Sequence, residues 1–341
     1  MYKRQTQDLG VASNGQQAAL VWAEHSNVSD ALGRYHFALV NDDLTLSVSA
    51  CFGEENNNFT PVLGPLPSGW LLAGRVVQDD VSKIQLTVFD AAGVVVSTPS
   101  PTLLGTPRHL VARPDGGPLL LYSVSDASGA PTQMASLLDA QGQPVWTVSL
   151  GGTRSVIDAL AVYTGDGFLW TSVDNLSTSS QVVARIDMTG HVTQATLSLP
   201  ETDFYADLAW AGQEGHLFWN NYSIRLDKNG KALGPVQQIL SVEASQPRLA
   251  SASGKLGALV RVGRTEGTLG GFLSSSSTGH PELVIVDAQG TASAPFPVFQ
   301  DGNQGPNFQH HLVPVGDRWL AASVSLDSRL GIRAYLAWIR P

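Results

Sequence analysis

Nine residues of this chain have side chains suited to holding or transforming a ligand and share one kind of position: Asn58, Arg108, His109, Asp158, Tyr205, Asp207, Arg248, His310 and His311, with Asp8 at the same place in the first repeat. Each lies near the start of a short apolar run. Guanidinium groups grip carboxylates and phosphates through a planar fork of donors. Imidazoles exchange protons near neutral pH. Two carboxylates such as Asp158 and Asp207 would cleave a glycosidic bond if a pocket held them about 5–10 Å apart, one as acid and the other as base or nucleophile. The pair His310-His311 does not make a metal site, because neighbours on a strand point to opposite faces; one of them is left to face a ligand. His25 and His36, with Glu24 nearby, lack a third ligand and are expected to be solvated loop histidines. No metal and no cofactor is implied.

Patterns that would name an activity are missing from the sequence. There is no Gly-x-Ser-x-Gly elbow and no His-Glu-x-x-His, and Gly263 to Gly271 lacks the Lys-Ser/Thr ending of a phosphate loop. Asp79-Asp80 reads as a solvated acidic pair in a loop. Asn58-Phe59-Thr60 and Asn175-Leu176-Ser177 match glycosylation acceptors, a triplet that also arises by chance in Asn/Ser-rich chains.

The elements that must position these residues are set by a repeat. Leu137-Leu138-Asp139-Ala140-Gln141-Gly142-Gln143-Pro144-Val145-Trp146 runs an apolar pair into Asp-x-x-Gly and then into an alternating run. The same figure returns at Asp90 to Gly93, Asp187 to Gly190, Asp227 to Gly230 and Asp287 to Gly290, in steps of 49, 48, 40 and 60 residues. Each repeat reads as four short strands. The second commonly carries a tryptophan (Trp22, Trp70, Trp170, Trp219, Trp319), and the third ends at the Asp-x-x-Gly turn. Short strands with Gly- or Asn-rich turns mean an all-β fold. A four-strand repeat of about 40–50 residues is the mark of a propeller. No sustained 3.6-residue period appears, so essentially no helix is expected.

The expectation is therefore one seven-bladed β-propeller over 1–341, with four-stranded antiparallel blades at approximately 6–58, 59–105, 106–155, 156–203, 204–244, 245–307 and 308–341. The last repeat stops after a third strand, so the seventh blade is expected to lack its outer strand or to have it poorly paired by Tyr2 to Gln5. The tryptophans are expected to pack between blades, and Cys51 to be a small buried residue.

The whole chain resembles secreted bacterial propellers with blades of this pattern, WD-like in layout. Leu138 to Trp146 is also similar to the quinoprotein-type repeat, in which Asp, Gly and Trp recur. Only this repeat keeps the Trp after the Gly, so the resemblance does not extend to a quinone cofactor. It implies an exported or surface-attached binding or scaffold protein.

Composition narrows the partners. The net charge is −9, and 20 basic residues face 29 acidic ones. Nucleic acid demands clustered Lys and Arg and is not expected as a partner, nor is an acidic membrane surface. No stretch approaches the length of apolar residues that spans a membrane. One cysteine excludes an internal disulfide framework. No signal peptide is visible, but Met1-Tyr2-Lys3-Arg4-Gln5 resembles a translated sequencing adapter, so the natural start and any export signal are expected upstream. The expected location is extracellular or periplasmic.

Turn chemistry then divides the two faces. Asp accepts hydrogen bonds from backbone N–H groups two residues on, and Gly takes positive φ without steric cost, so the Asp-x-x-Gly face is structural. The opposite face holds the loops from Glu24 to Arg34, Cys51 to Asn58, Ser125 to Gln133, Arg261 to Glu282 and Gln300 to Gln309, which vary as functional loops do. The reading this supports is a non-catalytic propeller that recognises a protein or a glycan, lectin-like in the second case, through that face. The alternative is a glycoside-type hydrolase with its carboxylates at the channel mouth.

Overall fold

The computed structural model describes residues 5–25, 33–55, 61–99, 103–125, 131–152, 160–175, 180–199, 206–219, 221–240, 244–262, 280–287, 291–299, 307–327 and 331–341. Seven antiparallel sheets follow one another along the chain. The first holds β1 (Gln5–Ser13), β2 (Ala18–His25), β3 (Gly33–Val40) and β4 (Leu46–Glu55). The second holds β5 (Val62–Leu66), β6 (Gly69–Gln78), β7 (Val81–Asp90), β8 (Val95–Ser97) and β9 (Leu103–Leu104), the last two both pairing with β7. The third holds β10 (Thr106–Val111), β11 (Leu119–Ser125), β12 (Pro131–Leu138) and β13 (Pro144–Gly152). The fourth holds β14 (Leu160–Tyr163), β15 (Gly167–Asn175), β16 (Ser180–Asp187) and β17 (Val192–Ser198). The fifth holds β18 (Ala206–Ala211), β19 (Glu214–Trp219), β20 (Tyr222–Leu226) and β21 (Gln237–Gln238). The sixth holds β22 (Ala244–Ala252), β23 (Lys255–Val262), β24 (His280–Val286) and β25 (Phe296–Pro297). The seventh holds β26 (Asn307–Val315), β27 (Arg318–Asp327) and β28 (Gly331–Ile339). No helix occurs among the described residues.

The sheets close into a ring. Their first strands touch in the cyclic order β1, β5, β10, β14, β18, β22, β26 and back to β1. Seven apolar clusters lie one in each junction between neighbouring blades, the closing one joining Leu9, Leu20 and Val40 to Val315, Leu320 and Val324. The core is therefore distributed, with each blade burying both faces of its sheet against two neighbours. Trp70, Trp170, Trp219 and Trp319 are fully buried in these junctions. A ring of that size removes roughly 150–250 Å² from water. Trp22 differs: it is half-buried and stacks on His36, ring centroids 5.1 Å apart and 9° from parallel. His36 is thus a strand residue in a ring stack and not a solvated loop histidine. Cys51 to Glu55, expected in a loop, extend strand β4 instead.

The Asp-x-x-Gly turns do what their chemistry dictates. Asp139 Oδ1 accepts from the N–H groups of Gln141 at 2.9 Å and Gln143 at 2.8 Å, and Gly142 takes φ +79°. Asp90, Asp187 and Asp227 repeat the pattern, with φ between +79° and +86° at Gly93, Gly190 and Gly230. Asp287 accepts from Thr291 at 2.8 Å. Replacing Asp139 by Ala strands two turn donors, so Asp139→Ala should lower stability by about 1–2 kcal/mol while leaving ligand binding unchanged. Urea unfolding checks this, and a loss of binding at full stability would contradict the structural role.

These turns and the first-to-second strand turns lie on one side. Gln16 and Gln17 of the β1–β2 turn, Asn41 and Asp42 of the β3–β4 turn, and Val315 and Trp338 of the last blade line one groove of about 250 Å³. Blade 1 is latched to blade 7 there by Gly316 N–H to Gly15 O at 2.7 Å and Arg318 Nη2 to Asp42 Oδ1 at 2.5 Å. Blade 4 is latched to blade 5 by Lys228 Nζ to Asp166 Oδ2 at 2.8 Å, with Arg185 also on Asp166 at 3.2 Å. In the seventh blade three strands are described; Gln5 pairs with His25 in the first blade's inner hairpin, and Tyr2 to Arg4 lie outside the described residues.

Candidate functional site

The seven inner strands enclose a central channel of about 1360 Å³. Its walls at one end are the first residues of those strands. Four of the strands break register there: between Thr6 and Asp8, Pro107 and His109, Ser245 and Arg248, and Asn307 and Gln309. Such bulges re-aim the side chains beside them. Arg108 sits in one break, and Arg248 and His310 follow two others.

Six of the nine residues marked in the sequence line this channel: Arg108, His109, Asp207, Arg248, His310 and His311. Asn58, Asp158 and Tyr205 lie outside the described residues. Arg108 is steadied by its own blade, Nε donating to Ser123 Oγ at 3.2 Å. His310 is packed away, with 3% of its surface exposed, whereas His311 keeps part of its surface toward the channel. The two histidines therefore part company as alternation on a strand requires.

Asp207 lines the channel, and each of its oxygens already accepts a hydrogen bond. Oδ1 accepts from Leu208 N–H at 2.9 Å and Oδ2 from Leu249 N–H at 2.6 Å, the latter on the next blade. Burial pushes its carboxyl above the usual range, opposed by Arg248 and by those two N–H groups. The side chain is a staple between β18 and β22.

Arg248 reaches furthest. Its charge acts on Asp207 in blade 5, on His109 in blade 3 and on His311 in blade 7. Arg248 is part of the channel wall. Among the described residues Arg248 makes no ion pair, and its hydrogen bond runs from Nη1 to the Pro247 carbonyl at 3.1 Å. Around it the imidazoles are held neutral. Burial, then Arg248, lowers His109 to about 4, against a bond to the Ala161 backbone that works the other way. Burial, then Arg248, lowers His311 to about 3, opposed by a bond to the Leu9 backbone and aided by His109. Both imidazoles thus tie their blade to the main chain of the next. Nε2 of His311 is enclosed without a hydrogen-bond partner.

The opposite mouth went unmarked in the sequence. Arg113, Tyr163, Trp210 and Gln16 line it. Tyr163 Oη donates to Gly165 O at 2.6 Å, and Arg113 Nε lies 3.2 Å from Asp115 Oδ1. Following each inner strand to its far end would have reached Tyr163.

Comparison with known proteins bears on the fold. No protein-family model matches the chain, and no curated protein matches it in sequence. Solved structures do match in shape. A puromycin hydrolase crystal structure superposes with a TM-score of 0.59 at 16% identity, over 97% of this chain and 53% of that one, so the chain spans about half that enzyme's length. The WD40 domain of Toxoplasma gondii coronin gives 0.54 at 12%, over 100% and 85%. Kluyveromyces lactis Hsv2 gives 0.51 at 10%, over 98% of each. At these identities the likeness is one of fold, and the fold is a seven-bladed β-propeller.

Proposed function

We propose that this protein is a non-catalytic binding or scaffold propeller that recognises a protein or a glycan on the face where the inner strands begin. One observation carries the reading: the two faces are unequal in available polar groups. On the turn face Asp90, Asp139, Asp187 and Asp227 each spend a carboxylate oxygen on their own turn, and Asp42 and Asp166 are tied to the next blade. At the other end Arg248 has no ion-pair partner among the described residues and stands in a channel wide enough to admit part of a ligand. The hydrolase reading has less support, since Asp207 already accepts from two backbone N–H groups. An extracellular or periplasmic setting follows from the resemblance of the repeats to exported propellers.

The test is a screen of the full chain against a glycan array and a panel of extracellular proteins. A partner should be retained by Asp42→Ala and Lys228→Ala, which alter the turn face, and weakened by Arg108→Ala. Silence on both screens, or a partner lost through the turn-face changes alone, would overturn the reading.

A further inference from the structure

Resting on the binding reading above, the geometry points to a specific recognition element: the channel mouth is an oxyanion site, with Arg248 as its cation, taking a carboxylate or phosphate carried by the ligand. The protein as a whole is acidic, with a net charge of −9. The described channel wall is the reverse. Arg108, Arg113 and Arg248 line it, against Asp207 as the one acidic side chain among the described lining residues.

That acid makes no ion pair with Arg248 among the described residues, and its two oxygens accept from the N–H groups of Leu208 and Leu249. The guanidinium has five N–H donors, and one nitrogen is engaged by the Pro247 carbonyl. Arg248 lines a walled space, where charge is screened far less than on an open surface. Low-dielectric walls with one sign of charge focus the field and draw in the opposite ion. The planar fork of arginine matches the two oxygens of a carboxylate or phosphate. The neighbouring imidazoles add no competing charge at neutral pH and leave Arg248 to dominate.

A free phosphate and an acidic sugar share this chemistry, so the experiment separates them. Calorimetric titration of the full chain at pH 7 and low salt would use inorganic phosphate, glucuronate and, as the neutral control, glucose. At least one oxyanion is expected to bind, with glucose silent. Phosphate alone would assign the site to phosphate groups, and glucuronate alone to acidic sugars. Arg248→Gln should weaken binding by roughly tenfold or more, Arg248→Lys by less, and Arg113→Gln at the far mouth hardly at all. The lysine variant keeps the test decisive if the glutamine variant fails to fold. No binding of either oxyanion below about 10 mM, or binding unchanged in both Arg248 variants, would overturn the site. The screens report separately: a macromolecular partner bound without any oxyanion affinity sinks this inference and spares the binding reading, and the converse does the opposite.

Discussion

Stability should fall steeply as the pH drops from about 6.5 to about 4. His109 and His311 are the cause. In the unfolded chain both take up protons near 6.5; in the folded protein they stay neutral until about 4 and about 3. Above 6.5 neither state is charged and the histidines contribute nothing to the pH dependence. Below it the unfolded state binds protons that the folded state refuses, so each unit of pH costs about 1.4 kcal/mol per histidine until the folded form titrates. His216, lowered mainly by burial, adds in the same direction. Asp207 opposes them, because its raised carboxyl takes up a proton in the folded state before it does in the unfolded one. The lowered carboxyls of Asp43, Asp166 and Asp187 withdraw stability only at more acid pH, below the ordinary carboxylate value of 3.8. Urea midpoints at pH 7.5, 6 and 5 measure the slope. The double variant His109→Gln/His311→Gln should flatten it, whatever its stability at neutral pH. An unchanged slope would mean that neither imidazole is held neutral.

A second large effect should come from one methyl group at a blade junction. Gly230 takes φ +79°, and a Cβ there would lie 2.6 Å from Val183 Cγ1 and 3.3 Å from Leu169 Cδ1 of the preceding blade. Gly15 has a similar φ, +86°, but nothing within 4 Å of the added atom. Gly15→Ala should therefore cost about 1–2 kcal/mol, the strain of a left-handed alanine. Gly230→Ala carries that strain plus overpacking of a closed junction, for a total of about 2–4 kcal/mol. Paired urea unfolding of the two variants isolates the junction term; equal losses would show that the blades have room to separate. Gly93 and Gly190 stand in the same relation to Phe37 and Trp146 of their preceding blades. The repeated glycine thus serves the turn and the seam at once.

Much of this architecture was legible because its signals are local. Asp139 and Gly142 announce a turn by interactions that span four residues. Trp70, Trp170, Trp219 and Trp319 mark second strands because a large ring in an alternating run has to be buried. The individual roles at the channel were less legible. Asp207 and Arg248 read as opposite charges converging on one mouth, but the carboxylate is consumed by the N–H of Leu249, 42 residues further on. Trp22 belongs to the same sequence pattern as the buried tryptophans yet stacks on His36 instead.

The sequence by itself determined the count of blades, the strand order within each and the side on which the Asp-x-x-Gly turns fall, since each depends on period, turn chemistry and chain connectivity. Only the tertiary structure decided which charges remain available and which imidazoles stay neutral. Desolvation and long-range pairing depend on what the ring brings alongside a residue, and in a closed propeller those neighbours come from blades far away in the chain.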